Sequence, residues 1–438
     1  MNMLKINLQS LFSLSLLSSL FLLIACENRN SPSSNLNQDS KNNTQTKIAL
    51  GLNDLAIMLP YESRPDMIAK APTADAFVPP SAIDEIKKIL IDDQNIHKKE
   101  DFAFGKIGDE SIEADIALQG SKDSATPFRL ASIRIDPCGN SIGRMTTLEA
   151  CAHEIRMVWQ PLELVGGQVF TKDVNLHSIY RLDTKTFADF LKRLRALRTS
   201  SAEKSEALQP HPIMAKEGSE GAYFKGLMNL LTASVGPKNL HRVAFFADTN
   251  PNFMGHWPML AFDIIDGVIV RSPSPTLGHA DGEIQKLVQR IEGAPRRLGE
   301  PLPTGNFENN LFPLFDETLA KDETEMLALF GAFLTKKYVS TLAIDNPTIH
   351  EPANADCASC HMATIEKFKV KREMESMGLE IPKLEFTSTR WNLETKVDEN
   401  FSNTSLQIFS YFKSQSKIAP RAIHDAAHSA DMIEAMGL

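Results

Sequence analysis

Cys357, Cys360 and His361 are the residues whose types and spacing point most directly to chemistry. Two thiols with two residues between them can be alkylated together, cycle between dithiol and disulfide, or share a soft metal ion. The imidazole that follows the second thiol adds a nitrogen ligand, so the string can hold a group covalently and bind its metal at the same time.

Cys357-Ala358-Ser359-Cys360-His361 is a CxxCH string, the attachment signature for a c-type haem. From the chain's own Cys and His frequencies, a chance CxxCH is expected on the order of ~0.001 times. In these five residues the chain resembles c-type cytochromes. The resemblance implies one covalent haem c, with Cys357 and Cys360 as thioether sulfurs and His361 as the proximal iron ligand. No second CxxCH occurs, so a single haem is expected. Two other readings of the string stand beside this one. A zinc site would need further soft ligands close by. A thiol–disulfide oxidoreductase would need the CxxC at a helix start after a strand, in a βαβ setting.

The other side of the iron decides much of the function: a Met partner raises the potential, and an open position admits small molecules. The small cytochromes c take a distal methionine from a loop well after CxxCH, but this chain has neither Met nor His between Gly378 and Ile423. Met374 and Met377 are closer, yet a continuous helix would carry Met374 about 20 Å along its axis. His350, in a stretch flanked by Pro347 and Pro352, is one candidate for the distal ligand. His424, His428 and Met432, spaced four apart on one helical face, are the others. His424 and His428 could alternatively bind a metal such as zinc, for which no third ligand is evident.

The remaining cysteines fit export. Residues 1–25 read as a lipoprotein signal: Lys5, an apolar stretch from about Leu11 to Ile24, then Leu23-Ile24-Ala25-Cys26, which resembles a lipobox cut before Cys26. A lipidated Cys26 would anchor the chain to a membrane. Glu27 follows instead of the aspartate that often marks inner-membrane retention, so a periplasmic, lipid-anchored location at the outer membrane is expected. Paired thiols usually close in that compartment, and Cys138 and Cys151 are expected to form a disulfide across a short loop. Residues 26–47, rich in Asn, Ser, Gln and Thr, read as a disordered tether.

The formal net charge is −9. Without a Lys/Arg stripe, nucleic acid is not an expected partner. The expected partners are a periplasmic redox protein and the membrane reached through the lipid.

The elements that must position the string point to an α+β fold. A mixed α/β N-terminal region with antiparallel strands, residues 48–295, is followed after a Pro/Gly-rich stretch by a mainly α-helical haem c domain, residues 306–438. In the first region Ile155, Met157 and Trp159 alternate with Glu154, Arg156 and Val158, the pattern of a half-buried strand, and 128–136 is its expected partner. Val243–Ala247 is a further strand. Asp266-Gly267 predicts a type I′ hairpin between 259–265 and 268–271. Asp183 can cap a helix carrying Phe187, Phe190, Leu191 and Leu194, and a second helix is expected over 220–234. In the second region helices are expected around Met326–Leu334, from near Met362 to Gly378, and from Pro420 to Met436.

The first region shows no GxSxG, GxxxxGK[ST] or HExxH string. His256, His279 and Asp281 are its only eye-catching polar residues, and Trp159, Trp257 and Trp391 read as core or haem-packing residues. The leading expectation is therefore an electron-transfer cytochrome, for which the first region is a docking or scaffolding domain. The alternatives are a peroxidase-like haem oxidoreductase with an open iron site, or an envelope interaction protein with a structural haem.

Overall fold

Alternation of apolar and polar side chains along the strands decides which layer each face of the sheet meets. In the computed structural model, the residues described are 49–97, 126–139, 150–198, 206–247, 256–271, 285–289, 301–304, 320–349, 357–394 and 405–438. The signal, the tether, Cys26, His350, His279 and Asp281 lie outside them, as does the side chain of His256.

The centre is a nine-stranded antiparallel sheet. Its strands are β1 (Ala56–Met58), β2 (Phe128–Asp136), β3 (His153–Pro161), β6 (Val174–Leu182), β7 (Leu240–Ala247), β8 (His256–Ile265), β9 (Val268–Arg271), β10 (Gln285–Gln289) and β11 (Pro301–Thr304). They run in the order β1-β2-β3-β6-β7-β8-β10-β11, with β9 also paired to β8. Asp266 and Gly267 both take positive φ between Ile265 and Val268, the type I′ geometry their sequence predicts. A separate hairpin, β4 (Glu163–Val165) and β5 (Gln168–Phe170), turns on Gly166-Gly167.

One face of the sheet is apolar. Ile155, Met157 and Trp159 of β3, with Leu176 and Tyr180 of β6, are fully or almost fully buried. Against them lies α3 (Thr184–Ala196), whose Phe187 stacks on His153 at 4.7 Å between ring centres. Asp183 caps this helix by accepting from the Thr186 amide. Phe77 closes the same face over Trp159. Further helices are α1 (Leu52–Leu55), α2 (Pro80–His97), α4 (Pro212–Glu217) and α5 (Ala222–Ser234).

The opposite face carries Ser132, Arg134, Arg156, Gln160, Asn175 and His177. Strand β3 is nevertheless buried on both sides, so the half-buried strand expected from its alternation has no solvent face. The reason is the C-terminal third of the chain, which lies over the polar side. That third comprises α6 (Glu323–Asp345), α7 (Cys357–Ser376), the hairpin β12 (Phe409–Phe412) and β13 (Gln415–Ile418), and α8 (Pro420–Ala435).

Polar contacts tie much of the sheet to this cover. Ser132 donates to the Phe409 carbonyl at 2.6 Å, and Gln160 exchanges two hydrogen bonds with the Tyr411 backbone. Asn175 donates to Gln407 at 2.6 Å. Arg134 of β2 and Arg421 of α8 both bind Asp425. Helix α7 is tied to α6 by Lys367–Asp345 and Lys337–Glu366 pairs. Residues from both expected regions share one core: Tyr411, Ile423 and Ala427 join Ile57, Trp159 and Leu191, and Ile48–Leu438 forms one compact unit.

Cys138 and Cys151 form the expected disulfide, with Cα atoms 4.6 Å apart, closing the loop from β2 to β3. Helix α6 is long and apolar enough to cross a membrane by length and composition alone; it packs on α7 and contributes Leu334, Tyr338 and Leu342 to a small core.

Candidate functional site

Helix α7 begins at Cys357, five residues before the start expected near Met362, and so takes the whole CxxCH string onto its first turns. Positions i, i+3 and i+4 share a helical face, which puts Cys357, Cys360 and His361 side by side. Both cysteines are half-buried and neither is in a disulfide.

A hydrogen bond to the backbone orients His361. Its Nδ1 lies 2.6 Å from the carbonyl oxygen of Leu406. A carbonyl only accepts, so Nδ1 carries a proton, the arrangement found in imidazoles that bind a metal through their other nitrogen. Leu406 is itself held: its amide donates to Asp173 Oδ2 at 2.9 Å. Asp173 also accepts from the Trp257 indole at 2.9 Å and from Gln407 Nε2 at 2.6 Å. A buried carboxylate next to β6 thus fixes the segment that fixes the imidazole.

Around the string lies an apolar cluster of Phe246, Trp257, Met259, Ile344, Ala358, Met362, Ala363, Ile365 and Leu406, with Cys357 packed against it. The Phe246 ring meets His361 edge-on at 4.7 Å. Trp257 therefore belongs to the shell of this site, whereas Trp159 is in the main core and Trp391 bonds Asp431.

Among the described residues, the imidazole that stands against His361 is His177 of β6. The ring centres are 6.1 Å apart and the planes nearly perpendicular, at 85°. Its Nε2 is shut off from solvent and has no hydrogen-bond partner. Burial, followed by His361 and the Arg134 and Arg156 guanidinium groups, pushes this imidazole down to about 3, so it is neutral at physiological pH. Sequence reading had not selected His177. The available signal was a histidine on a strand whose neighbours Asn175 and Ser178 are also polar.

The distal candidates taken from sequence are placed differently. His424 Nδ1 lies 2.7 Å from the Asp345 carbonyl, and its ring packs on Phe386. His428 is half-buried on α8 and Met432 is buried there. All three lie on the helix that packs against α1 and β2.

The Cys360 thiol is pushed above its ordinary value by burial, with Arg421 and Asp425 among the charges acting on it. A redox-cycling CxxC needs the opposite, a thiol lowered toward thiolate. The helix start meets one requirement of the disulfide-oxidoreductase reading; the described element before it is helix α6, not a strand. Among the described residues no group of three or more His, Cys, Asp or Glu is gathered to hold a metal ion unaided. A porphyrin brings four nitrogens of its own and asks only for axial ligands.

No family model, curated protein or solved structure matches this chain.

Proposed function

We propose that this protein is a lipid-anchored periplasmic cytochrome with one haem c, passing single electrons between partner proteins. The observation that carries this reading is the placement of His361 beside two thiols on one helical face, with its ring oriented by the Leu406 carbonyl. The apolar cluster around the string suits a flat, largely hydrophobic group.

A haem bound here would supply reversible one-electron oxidation and reduction. The chain supplies the rest. Cys357 and Cys360 each add S–H across a vinyl group: a C–S bond forms, the hydrogen goes to the other vinyl carbon, and no net redox change occurs. Phe246, Trp257 and Met259 exclude water, and a dry, apolar shell tunes the potential of such a centre. Asp173 acts through Leu406 as a positioning residue for His361.

In this reading the strands of residues 48–295 are the scaffold and the helices of 306–438 carry the haem. Cys26 bears the lipid, and a periplasmic redox protein is the partner. A peroxidase-like oxidoreductase remains the alternative if the iron has an open position, and an envelope protein with a structural haem if no donor or acceptor engages it.

The test is expression with a haem-maturation system, followed by a denaturing gel stained for haem and a reduced-minus-oxidised spectrum. Haem that stays on the denatured chain, and is lost in the Cys357→Ser/Cys360→Ser double variant, supports the reading. A wild-type chain without haem bands overturns it.

A further inference from the structure

We propose that the tip of the β4–β5 hairpin, carrying Leu164, Val165 and Phe170, dips into the surface of an anionic phospholipid bilayer. The inference rests on the reading of Cys26 as a lipid anchor and adds the part of the folded chain that meets the membrane.

The first observation is exposure. Leu164, Val165 and Phe170 are 51%, 56% and 38% exposed within one short hairpin. Single exposed apolar residues are ordinary, but a cluster of them marks an interaction surface.

The second is the arrangement of these side chains. In the ladder Glu163 pairs with Phe170, Leu164 with Val169, and Val165 with Gln168. Paired residues share a face and successive residues alternate, so Leu164 is on one face of the hairpin and Val165 and Phe170 are on the other. Val169 joins the main core, and Leu164 extends beyond it. A protein partner covers one face of such a hairpin, whereas a lipid surface surrounds both. The turn is Gly166-Gly167, both at positive φ, with no side chain to bar entry.

The third is charge. The root of the hairpin is bonded to the β12–β13 turn: the Thr171 amide donates to the Lys413 carbonyl at 3.0 Å, and the Lys413 amide to the Thr171 carbonyl at 3.1 Å. Exposed Lys172 and Lys413 thus stand behind the apolar tip, with Lys413 Nζ 5.3 Å from the centre of the Phe412 ring. Lysines on apolar stems suit anionic head groups above an inserted tip. Glu163 and Glu62 are the carboxylates of this corner, and each already accepts a hydrogen bond, from Thr126 and from the Ser416 amide. The β8–β9 hairpin is also apolar, through Ile265, Val268 and Val270, but its turn sets the exposed Asp266 carboxylate at the tip, where desolvation is costly.

The fourth is reach. Residues 26–47, read as a tether from the lipid, have a root-mean-square span of about 25 Å. A shallow contact that is weak by itself is then held by effective concentration. Asp173 follows Phe170 by three residues, so the end of the sheet that carries the candidate site is the end turned to the membrane.

The experiment uses the full-length lipoprotein on vesicles of phosphatidylethanolamine and phosphatidylglycerol. Phe170→Trp is expected to gain an emission that shifts to the blue and is lost when the acyl chains are brominated. The native Trp159, Trp257 and Trp391 are buried and are expected to be indifferent. Should Phe170→Trp fail to fold, Val165→Trp is read in the same way. Adding Leu164→Ser and Val165→Ser to Phe170→Trp is expected to abolish the quenching while the chain stays on the vesicles through Cys26. A lipid-anchored Phe170→Trp chain without quenching overturns the proposal and leaves the anchor reading standing. Quenching unchanged by the serine pair overturns it as well. Self-association that the serine pair abolishes, without quenching, overturns it in favour of a second copy of the chain. If Cys26 carries no lipid, the anchor reading falls, and quenching on added vesicles still decides the hairpin: its presence supports the proposal and its absence overturns it.

Discussion

The two faces of the central sheet are held by different physics. On one, Ile155, Met157 and Trp159 meet Phe187 and Phe77, and the cohesion is burial of apolar area. On the other, beside the apolar patch of Phe246, Trp257 and Met259, Ser132, Arg134, Gln160 and Asn175 meet Phe409, Asp425, Tyr411 and Gln407 through hydrogen bonds and an ion-pair cluster. Apolar packing tolerates small displacements, but directional bonds fix register. His177 and His361 meet on the face that uses the directional kind.

Replacing Asp425 tests that contrast most severely. Asp425→Ala leaves Arg134 and Arg421 facing each other in a buried position, with an expected loss of about 3–5 kcal/mol, read from the urea midpoint. The same carboxylate predicts a pH signature. Burial raises its pKa, but Arg134 and Arg421 outweigh burial and hold it below the ordinary value. Its contribution is then complete above the unfolded carboxyl value of about 3.9 and is lost as pH falls through the lower folded value. Asp425→Asn is expected to flatten the acid limb of the stability curve. A limb of unchanged slope would mean that other carboxylates govern acid unfolding.

Leu191→Ala, beneath the apolar face, is expected to cost about 3 kcal/mol through a cavity. The spectrum of the proposed haem should not change, and a spectral shift would show the two faces to be coupled. Asp173→Asn is expected to cost about 1–3 kcal/mol and to move the spectrum and potential, because Leu406 then holds His361 less firmly. A stability loss without a change in potential would make Asp173 a purely structural residue. Asp183→Ala removes the α3 cap, with an expected cost of about 1 kcal/mol and no effect at the haem.

Much of the fold was legible because local signals were strong. Asp183 with its apolar helical face, Asp266-Gly267 and the Cys138–Cys151 loop each specify their own geometry within a few residues. The layer arrangement was not. Glu154, Arg156 and Val158 read as a solvent face because polar alternation marks polarity and not exposure; only the positions of Tyr411, Gln407 and Asp425 turn that face inward. The hairpin at Phe409–Ile418 had little apolar alternation to announce it. At the site, Cys357, Cys360 and His361 were visible as a contiguous string. His177 was not, since nothing local in its strand shows that a helix nearly two hundred residues later lies over it.

The Arg134–Asp425 pair joins residues 291 positions apart, so the face that carries Arg134 is covered by chain made long after its own strands. An apolar face left waiting that long would be an adhesive surface. The stretch of that face made of Ser132, Arg134, Gln160 and Asn175 can stand in water meanwhile. Until α8 and the β12–β13 hairpin arrive, that stretch keeps its polar groups hydrated and presents no bare apolar surface. Closing α8 over the sheet then gives Arg134 the Asp425 carboxylate in place of water, the latch of the fold.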